Sequence, residues 1–159
     1  ALLGSDSARD GAASIYATGS FWFAAVPMAA ALETLKILRE SDYLEHMVRL
    51  GEYLRAGLDD AAKDTSFGFH QSGPVQMPLF LFDDDPDFRI CFAWSEAMLK
   101  RGVYVHPWHN MFLCNAMTEA DMDFTISAAR DAFRDIEAQR SELQPHPVVA
   151  QMFGQQAAE

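Results

Sequence analysis

The sequence predicts an α+β domain in which helices pack against a small sheet, and three observations carry that expectation. Apolar residues recur at three- and four-residue spacing in four long stretches, as they do along helices with a buried face. Two short aromatic and aliphatic runs flank the turn Ser72-Gly73-Pro74, as the strands of a hairpin do. The chain has 159 residues, 50% of them hydrophobic and 22% charged, which is enough to bury a core and excludes disorder by composition. That length suits one domain or a piece of a larger one. The expected order is helix, helix, strand, strand, helix, strand, strand, helix, with no internal repeat.

Residues 1–14 are small and polar, and their local fold is not readable from sequence. Residues 15–18 read as a strand end or an extended approach to the polar turn Thr18-Gly19-Ser20. A long apolar helix is expected to begin near Ala24, with Pro27 in its first turn, where a missing N–H costs little. Met28, Leu32 and Leu35 keep helical spacing there, and Arg39, Glu40 and Ser41 mark a break. Asp42 and Glu45 have the spacing of a capping box. Leu44, Met47, Val48, Leu54, Leu58 and Ala61 then trace the apolar face of a second helix, closed by residues 63–66.

Phe67 and Phe69 alternate with Gly68 and His70, which fits a strand, with His70 and Gln71 at its surface or end. Residues 77–82 are apolar on both faces and read as a central strand. The acidic loop 83–87 lacks the spacing of a calcium loop and reads as solvated. A third helix over 88–101 stops at Gly102 after Lys100 and Arg101. Residues 103–105 and 111–115 are expected as short strands interrupted by Pro107. Thr118 caps a last helix, with Asp121 three residues on and Met122, Ile126, Ala129, Phe133 and Ile136 along one face. Met28, Met47, Met98 and Met122 are expected to pack in the core. From Ser141 onward Pro145 and Pro147 end regular structure, leaving a tail that is ordered only if it packs on something.

Several function classes drop out. The net charge of −11, with no Lys/Arg cluster, argues against nucleic-acid binding and against docking on anionic membranes. The longest nearly unbroken apolar stretch, residues 21–32, is too short for a bilayer crossing, which takes roughly 20 residues. Cys91 and Cys114 match no metal or redox spacing and read as buried thiols in a reducing, cytoplasmic setting. The chain opens without Met on ALLGSDSARDGAAS, which reads as the middle of a protein, and no secretory signal is visible. Within His106-Pro107-Trp108-His109 two histidines three apart are broken by proline, with no nearby ligand to complete a set, so no metal site is expected.

Residues 16–38 carry the most chemistry. A small hydroxyl-and-glycine turn before a helix offers unpartnered backbone N–H groups to an anion, and equally serves as an ordinary turn and helix cap. Three motifs sharpen the choice. TGSFW followed by AAVPMAAALETL, then LKRGVYVHP, then NAMTEADMDFTI stand in order along residues 14–138. Together they resemble the C-terminal part of class III aminotransferases, the group that includes amine and ω-amino-acid transaminases and glutamate-1-semialdehyde aminomutase.

The resemblance implies the aspartate-aminotransferase fold (fold type I), pyridoxal 5'-phosphate as cofactor, small amine and keto-acid substrates, and a homodimer with sites at the subunit interface. It implies that residues 1–40 end the large cofactor domain and form the connecting helix. Residues 41–140 would then be the small domain and 141–159 a tail. It further implies that Gly19 and Ser20 reach the cofactor phosphate of the neighbouring subunit. Ser20 stands where the family has Thr, which keeps the hydroxyl donor and loses the methyl that fixes its rotamer. Phe21 and Trp22 could line the substrate entrance or the interface core, and His109 and Asn110 are candidate substrate contacts. Met117 replaces a frequent His. The aromatic run after Ser20 favours a bulky or hydrophobic amine.

Transamination needs a lysine amine for covalent catalysis, and the chain's lysines, Lys36, Lys63 and Lys100, lie in no matching motif. No catalytic residue is therefore expected in this chain, and its missing partner is the N-terminal, large-domain portion. Alone it should not transaminate. A glutamate-1-semialdehyde-type aminomutase and a non-catalytic α+β interaction module remain the alternatives.

Overall fold

A computed structural model describes residues 5–14, 24–83 and 85–156 of the chain. They fall into two units, Ala1–Ser41 and Asp42–Glu159. In the first, a short 3-10 turn at Asp6–Ala8 runs into helix α1 (Arg9–Ser14), local structure that the small polar sequence did not disclose. The extended reading of residues 15–18 lies outside the described residues. Helix α2 (Ala25–Glu40) begins one residue after Ala24 and carries Pro27 in its first turn, as expected. Ser41 ends it by donating from its N–H and its hydroxyl to the Ile37 carbonyl, at 3.1 and 2.7 Å. None of α2 is buried. Val26 is 81% exposed and Leu32 69%, and Met28, expected in a core, is 47% exposed.

The second unit is the α+β body. Helix α3 (Tyr43–Ala62) leads to an antiparallel hairpin of β1 (Phe69–Ser72) and β2 (Leu79–Phe82). Helices α4 (Arg89–Leu99), α5 (Glu119–Ala138) and α6 (Pro147–Gln156) follow. The hairpin register pairs Phe69 with Phe82 and Ser72 with Leu79. Gly73, at φ +79°, takes the left-handed turn position, a conformation that favours glycine. The core gathers Leu50, Leu54 and Leu58 of α3, Phe80 and Phe82 of β2, Trp94 and Met98 of α4, and Phe133 and Ile136 of α5. Trp94 stacks on Phe133 with ring centroids 5.3 Å apart, and Phe69 meets Phe133 edge-on at 5.2 Å. Gly51 is required by packing. A Cβ there would lie 2.4 Å from the Val75 carbonyl oxygen, so the hairpin turn rests directly on the α3 backbone.

The helix ends separate two similar sequence patterns. Thr118 and Asp121 form the expected capping box on α5, the Asp121 carboxylate accepting from both the backbone N–H (2.7 Å) and the hydroxyl (2.8 Å) of Thr118. Asp42 forms no such box on α3. Its backbone (φ −82°, ψ 24°) leaves the extended region that a capping residue needs, and its carboxylate turns to Arg49 at 3.5 Å. Leu44, expected on the buried face of α3, is 49% exposed.

The loop before α4 is a cap rather than a solvated run. One Asp85 oxygen accepts from the N–H of Ile90 (2.9 Å) and the other from that of Cys91 (2.8 Å). This satisfies donors that a helix start leaves open. Phe88 just ahead adopts the left-handed conformation, φ 56°. At the other end Gly102, φ +85°, completes a Schellman turn, with Val103 N–H on the Met98 carbonyl (3.1 Å) and Gly102 N–H on that of Leu99 (2.9 Å).

Further expectations are corrected. The second strand starts at Leu79 rather than 77, because Pro78 has no N–H to give a ladder. Residues 103–105 and 111–115 are not strands. Met111 and Leu113 donate to the Pro78 and Gln76 carbonyls at 2.7 and 3.0 Å, and a turn from Cys114 to Met117 then ends the pairing. The tail does not end regular structure at its prolines. A 3-10 turn at Arg140–Glu142 and helix α6 follow, with Pro147 as the first residue of α6, where its missing N–H is harmless. Val149 of α6 is 3% exposed. Of the two cysteines Cys91 is buried and Cys114 is exposed.

Candidate functional site

Of the residues that the sequence nominates, Gly19, Ser20, Phe21 and Trp22 lie outside the described residues. His109 and Asn110 lie in the loop 106–110, between two extended stretches. The loop is tied mainly through side chains. The Trp108 N–H donates to His106 Nδ1 at 3.3 Å, and the His106 N–H meets the Met111 sulfur at 3.3 Å. His109 Nδ1 lies 2.9 Å from the Asn110 carbonyl oxygen, which can only accept, so that nitrogen is the donor in this contact. His109 is exposed and Asn110 half-buried, which leaves an imidazole and a carboxamide to meet a ligand.

Rings from three parts of the second unit meet around this loop. Trp108 packs edge-on against Phe92 at 5.1 Å and Phe88 at 5.8 Å, and against His106 at 5.2 Å. His106 in turn meets His109 at 5.7 Å. His146 of the C-terminal segment lies flat on Phe92, with centroids 4.3 Å apart and planes 12° apart. Sequence reasoning missed Phe88, Phe92 and His146. The first two were absorbed into a helix face, and nothing in the sequence says where the tail lands.

Among the described residues none offers a free cationic cradle for a phosphate in either surface depression. Near the ends of α3 and α5, Arg130 and Lys63 both face Asp60, at 3.3 and 2.9 Å, and Arg134 pairs with Asp131. In the groove between α4 and the tail, Arg89 is held on Asp87 and Lys100 on Glu96 at 2.9 Å. Among the described residues no group of three or more His, Cys, Asp or Glu is placed to hold a metal ion.

The lysines do not fit a cofactor site. Each lies on an exposed helix surface beside a carboxylate: Lys36 near Glu33 at 3.8 Å, Lys63 on Asp60 and Lys100 on Glu96. The hydrogen bond that Lys63 donates to Asp60 raises its pKa, which holds it as ammonium, the opposite of what a nucleophilic amine needs. Cys91 is equally unreactive. Burial, with Asp85 beside it, pushes its thiol up to about 12. The described residues therefore supply polar contacts and a shaped aromatic wall, and each of their lysines is held beside a carboxylate.

No protein-family model matches the chain. The chain is 53% identical over 154 residues, 97% of its length, to an aminopentol aminotransferase of Sphingopyxis macrogoltabida, of which it covers 36%. It is 35% identical over 132 residues, 76% of its length, to glutamate-1-semialdehyde 2,1-aminomutase 2 of Halalkalibacterium halodurans, of which it covers 30%. The chain thus spans about a third of the length of the curated relatives it matches. Among solved structures it superposes on the pyridoxal-phosphate internal aldimine form of the FumI protein of Sphingopyxis sp. MTA144. There the TM-score is 0.83 at 53% identity, over 92% of this chain and 36% of that one. An omega-transaminase from Sphaerobacter thermophilus shares the fold alone, with a TM-score of 0.67 at 19% identity over 76% of this chain and 30% of that one. Among the described residues no helix is long and apolar enough to cross a membrane. The chain carries the sequence and the fold of the class III pyridoxal-phosphate-dependent aminotransferases, as a C-terminal portion of that α+β, fold-type-I family.

Proposed function

We propose that the protein to which this chain belongs is a pyridoxal-phosphate aminotransferase that moves an amino group between an amine or amino acid and a keto acid. The observation that carries this reading is the 53% identity, over 97% of the chain, to an aminopentol aminotransferase. A bulky or hydrophobic amine is the proposed donor, in keeping with Phe21 and Trp22 beside the polar turn, and the name of that relative adds a hydroxylated amine as a candidate. The aminomutase reading is weaker, because identity to those relatives is 35% or lower over about three quarters of the chain.

Residues 1–40 are proposed as the end of the large domain with the connecting helix, 41–140 as the small domain and 141–159 as its tail. Gly19 and Ser20 would offer a backbone N–H and a hydroxyl to the cofactor phosphate across a homodimer interface. His109 and Asn110 would hydrogen-bond substrate. The cofactor, when bound, supplies an electron sink for the departing proton's carbon. The lysine that anchors it belongs to the large-domain portion, which also covers the exposed apolar face of α2. The 159 residues alone are inactive, and two free cysteines suit a cytoplasmic setting.

The test is an amino-transfer assay on the whole protein, with bulky hydrophobic and hydroxylated primary amines as donors and a keto acid as acceptor. Keto-acid-dependent loss of the amine is expected, with none from the 159-residue chain. Isomerisation of a single substrate without any acceptor would favour the aminomutase. Absence of both would favour the non-catalytic module.

A further inference from the structure

We propose that His146 is a positioning residue for the loop 106–110, acting through Phe92 and Trp108. Among the described residues no backbone–backbone hydrogen bond ties residues 104–110 to another part of the chain. The loop's shape therefore depends on side chains, and the rings around it form one continuous chain. His146 stacks on Phe92 at 4.3 Å, Phe92 meets Trp108 at 5.1 Å, Trp108 meets His106 at 5.2 Å, and His106 meets His109 at 5.7 Å. The three edge-on steps lie within the roughly 4.5–7 Å at which aromatic pairs prefer such geometry, and the first is a closer, nearly parallel stack with planes 12° apart. The chain of rings crosses from the C-terminal segment, over α4, to His109, one of the two residues nominated for substrate.

The far end of this chain is anchored. Arg89 is locked on Asp87 through three hydrogen bonds of 2.5 to 3.1 Å, and its remaining arm donates to the Leu143 carbonyl at 3.2 Å. Three residues on, His146 Nδ1 accepts from the Val148 N–H at 3.3 Å, and its carbonyl accepts from Ala150 at 3.0 Å. His146 thus caps α6 with its ring edge and holds Phe92 with its ring face. With Val149 buried beside it, the C-terminal segment is a strut whose contact with the loop runs through one imidazole. The two roles of that imidazole are separable by substitution. Phenylalanine keeps the stacking face and loses the cap, whereas asparagine keeps a capping side chain and loses the face.

The experiment uses fluorotryptophan labelling of the whole protein and fluorine NMR, with the Trp108 and Trp94 resonances assigned by their loss in Trp108→Phe and Trp94→Phe. The expected result is that His146→Asn displaces the Trp108 resonance and leaves that of Trp94 in place, while His146→Phe leaves both near their wild-type positions. Coincident Trp108 resonances in His146→Asn and wild type would overturn the proposal. So would an equal displacement in His146→Phe, which would assign the effect to the helix cap.

The consequence for substrate rests on His109 and Asn110 being substrate contacts. In the whole enzyme His146→Asn should raise the amine KM by about threefold to tenfold with kcat little changed, as the loss of one aromatic contact would, and His146→Phe should restore it. A displaced Trp108 resonance with an unchanged KM supports the positioning role and removes His109 and Asn110 from the substrate site.

Discussion

Helices α2 and α3 adjoin in the chain and are both rich in apolar residues, yet α3 buries Leu50, Leu54 and Leu58 while none of α2 is buried. The difference lies in how the apolar residues are distributed. On α3 they form one stripe, with Glu52, Asp59 and Asp60 outside it, and the stripe faces α5 and the hairpin within the same unit. On α2 the residues Val26, Met28, Leu32, Leu35, Ile37 and Leu38, with three consecutive alanines, run around much of the circumference. A helix apolar on most sides is built to be enclosed. Periodicity identifies both as helices, but it does not say whether the partner lies in the same chain.

The largest expected effect separates the two helices directly. Leu58, 1% exposed, sits in the core, so Leu58→Ala should cost about 2–5 kcal/mol in urea unfolding of the chain. Leu32→Ala in α2 should change it by no more than about 0.5 kcal/mol, as an exposed substitution does. In the whole protein Leu32→Ala should become clearly destabilising. Equal losses from both substitutions in the 159-residue chain would break the comparison.

Next come the helix caps. Thr118→Ala removes a formed capping box from α5 and should cost about 1 kcal/mol. Asp42→Ala removes only an exposed ion pair with Arg49, so the loss should be no more than a few tenths of a kcal/mol. A larger loss from Asp42→Ala than from Thr118→Ala would show that spacing alone, rather than backbone geometry, decides the cap.

Acid should act on the second unit. A hydrogen bond from the Arg89 guanidinium lowers the Asp87 pKa, one from the Thr118 hydroxyl lowers that of Asp121, and one from the Ser66 hydroxyl lowers that of Glu137. Each folded-state value lies below its unfolded one. The stability they contribute is therefore full above the unfolded carboxylate values and is lost as pH falls through the depressed ones. Glu137→Gln should flatten the acid limb of the urea midpoint against pH, and an unchanged limb would contradict its share. The smallest effect is chemical. Iodoacetamide should modify exposed Cys114 in the native chain and leave Cys91, whose thiol is pushed up to about 12, until unfolding. Native modification of Cys91 would place it outside the core.

Much of the fold was legible in the sequence, because long helices and a hairpin announce themselves locally. The α5 capping box, the turn at Gly73 and the stop at Gly102 rest on neighbouring residues and were found. What failed depended on distant partners or on backbone angle. Asp85 caps α4 from five and six residues away, and the spacing of an acidic loop does not reveal that. Pro147 reads as a helix breaker and also suits a first helical position; only the burial of Val149 shows that the second reading applies. Of the candidate site, resemblance marked His109 and Asn110, while Gly19, Ser20, Phe21 and Trp22 lie outside the described residues and the wall of Phe88, Phe92 and His146 is assembled by tertiary packing.

Lys36, Lys63 and Lys100 each sit beside a carboxylate on an exposed helix surface, and the proposed function places the anchoring lysine elsewhere. Borohydride reduction of the whole holoprotein, followed by peptide mapping, tests it directly. A single labelled lysine outside these 159 residues is expected. A label on Lys36, Lys63 or Lys100 would contradict it.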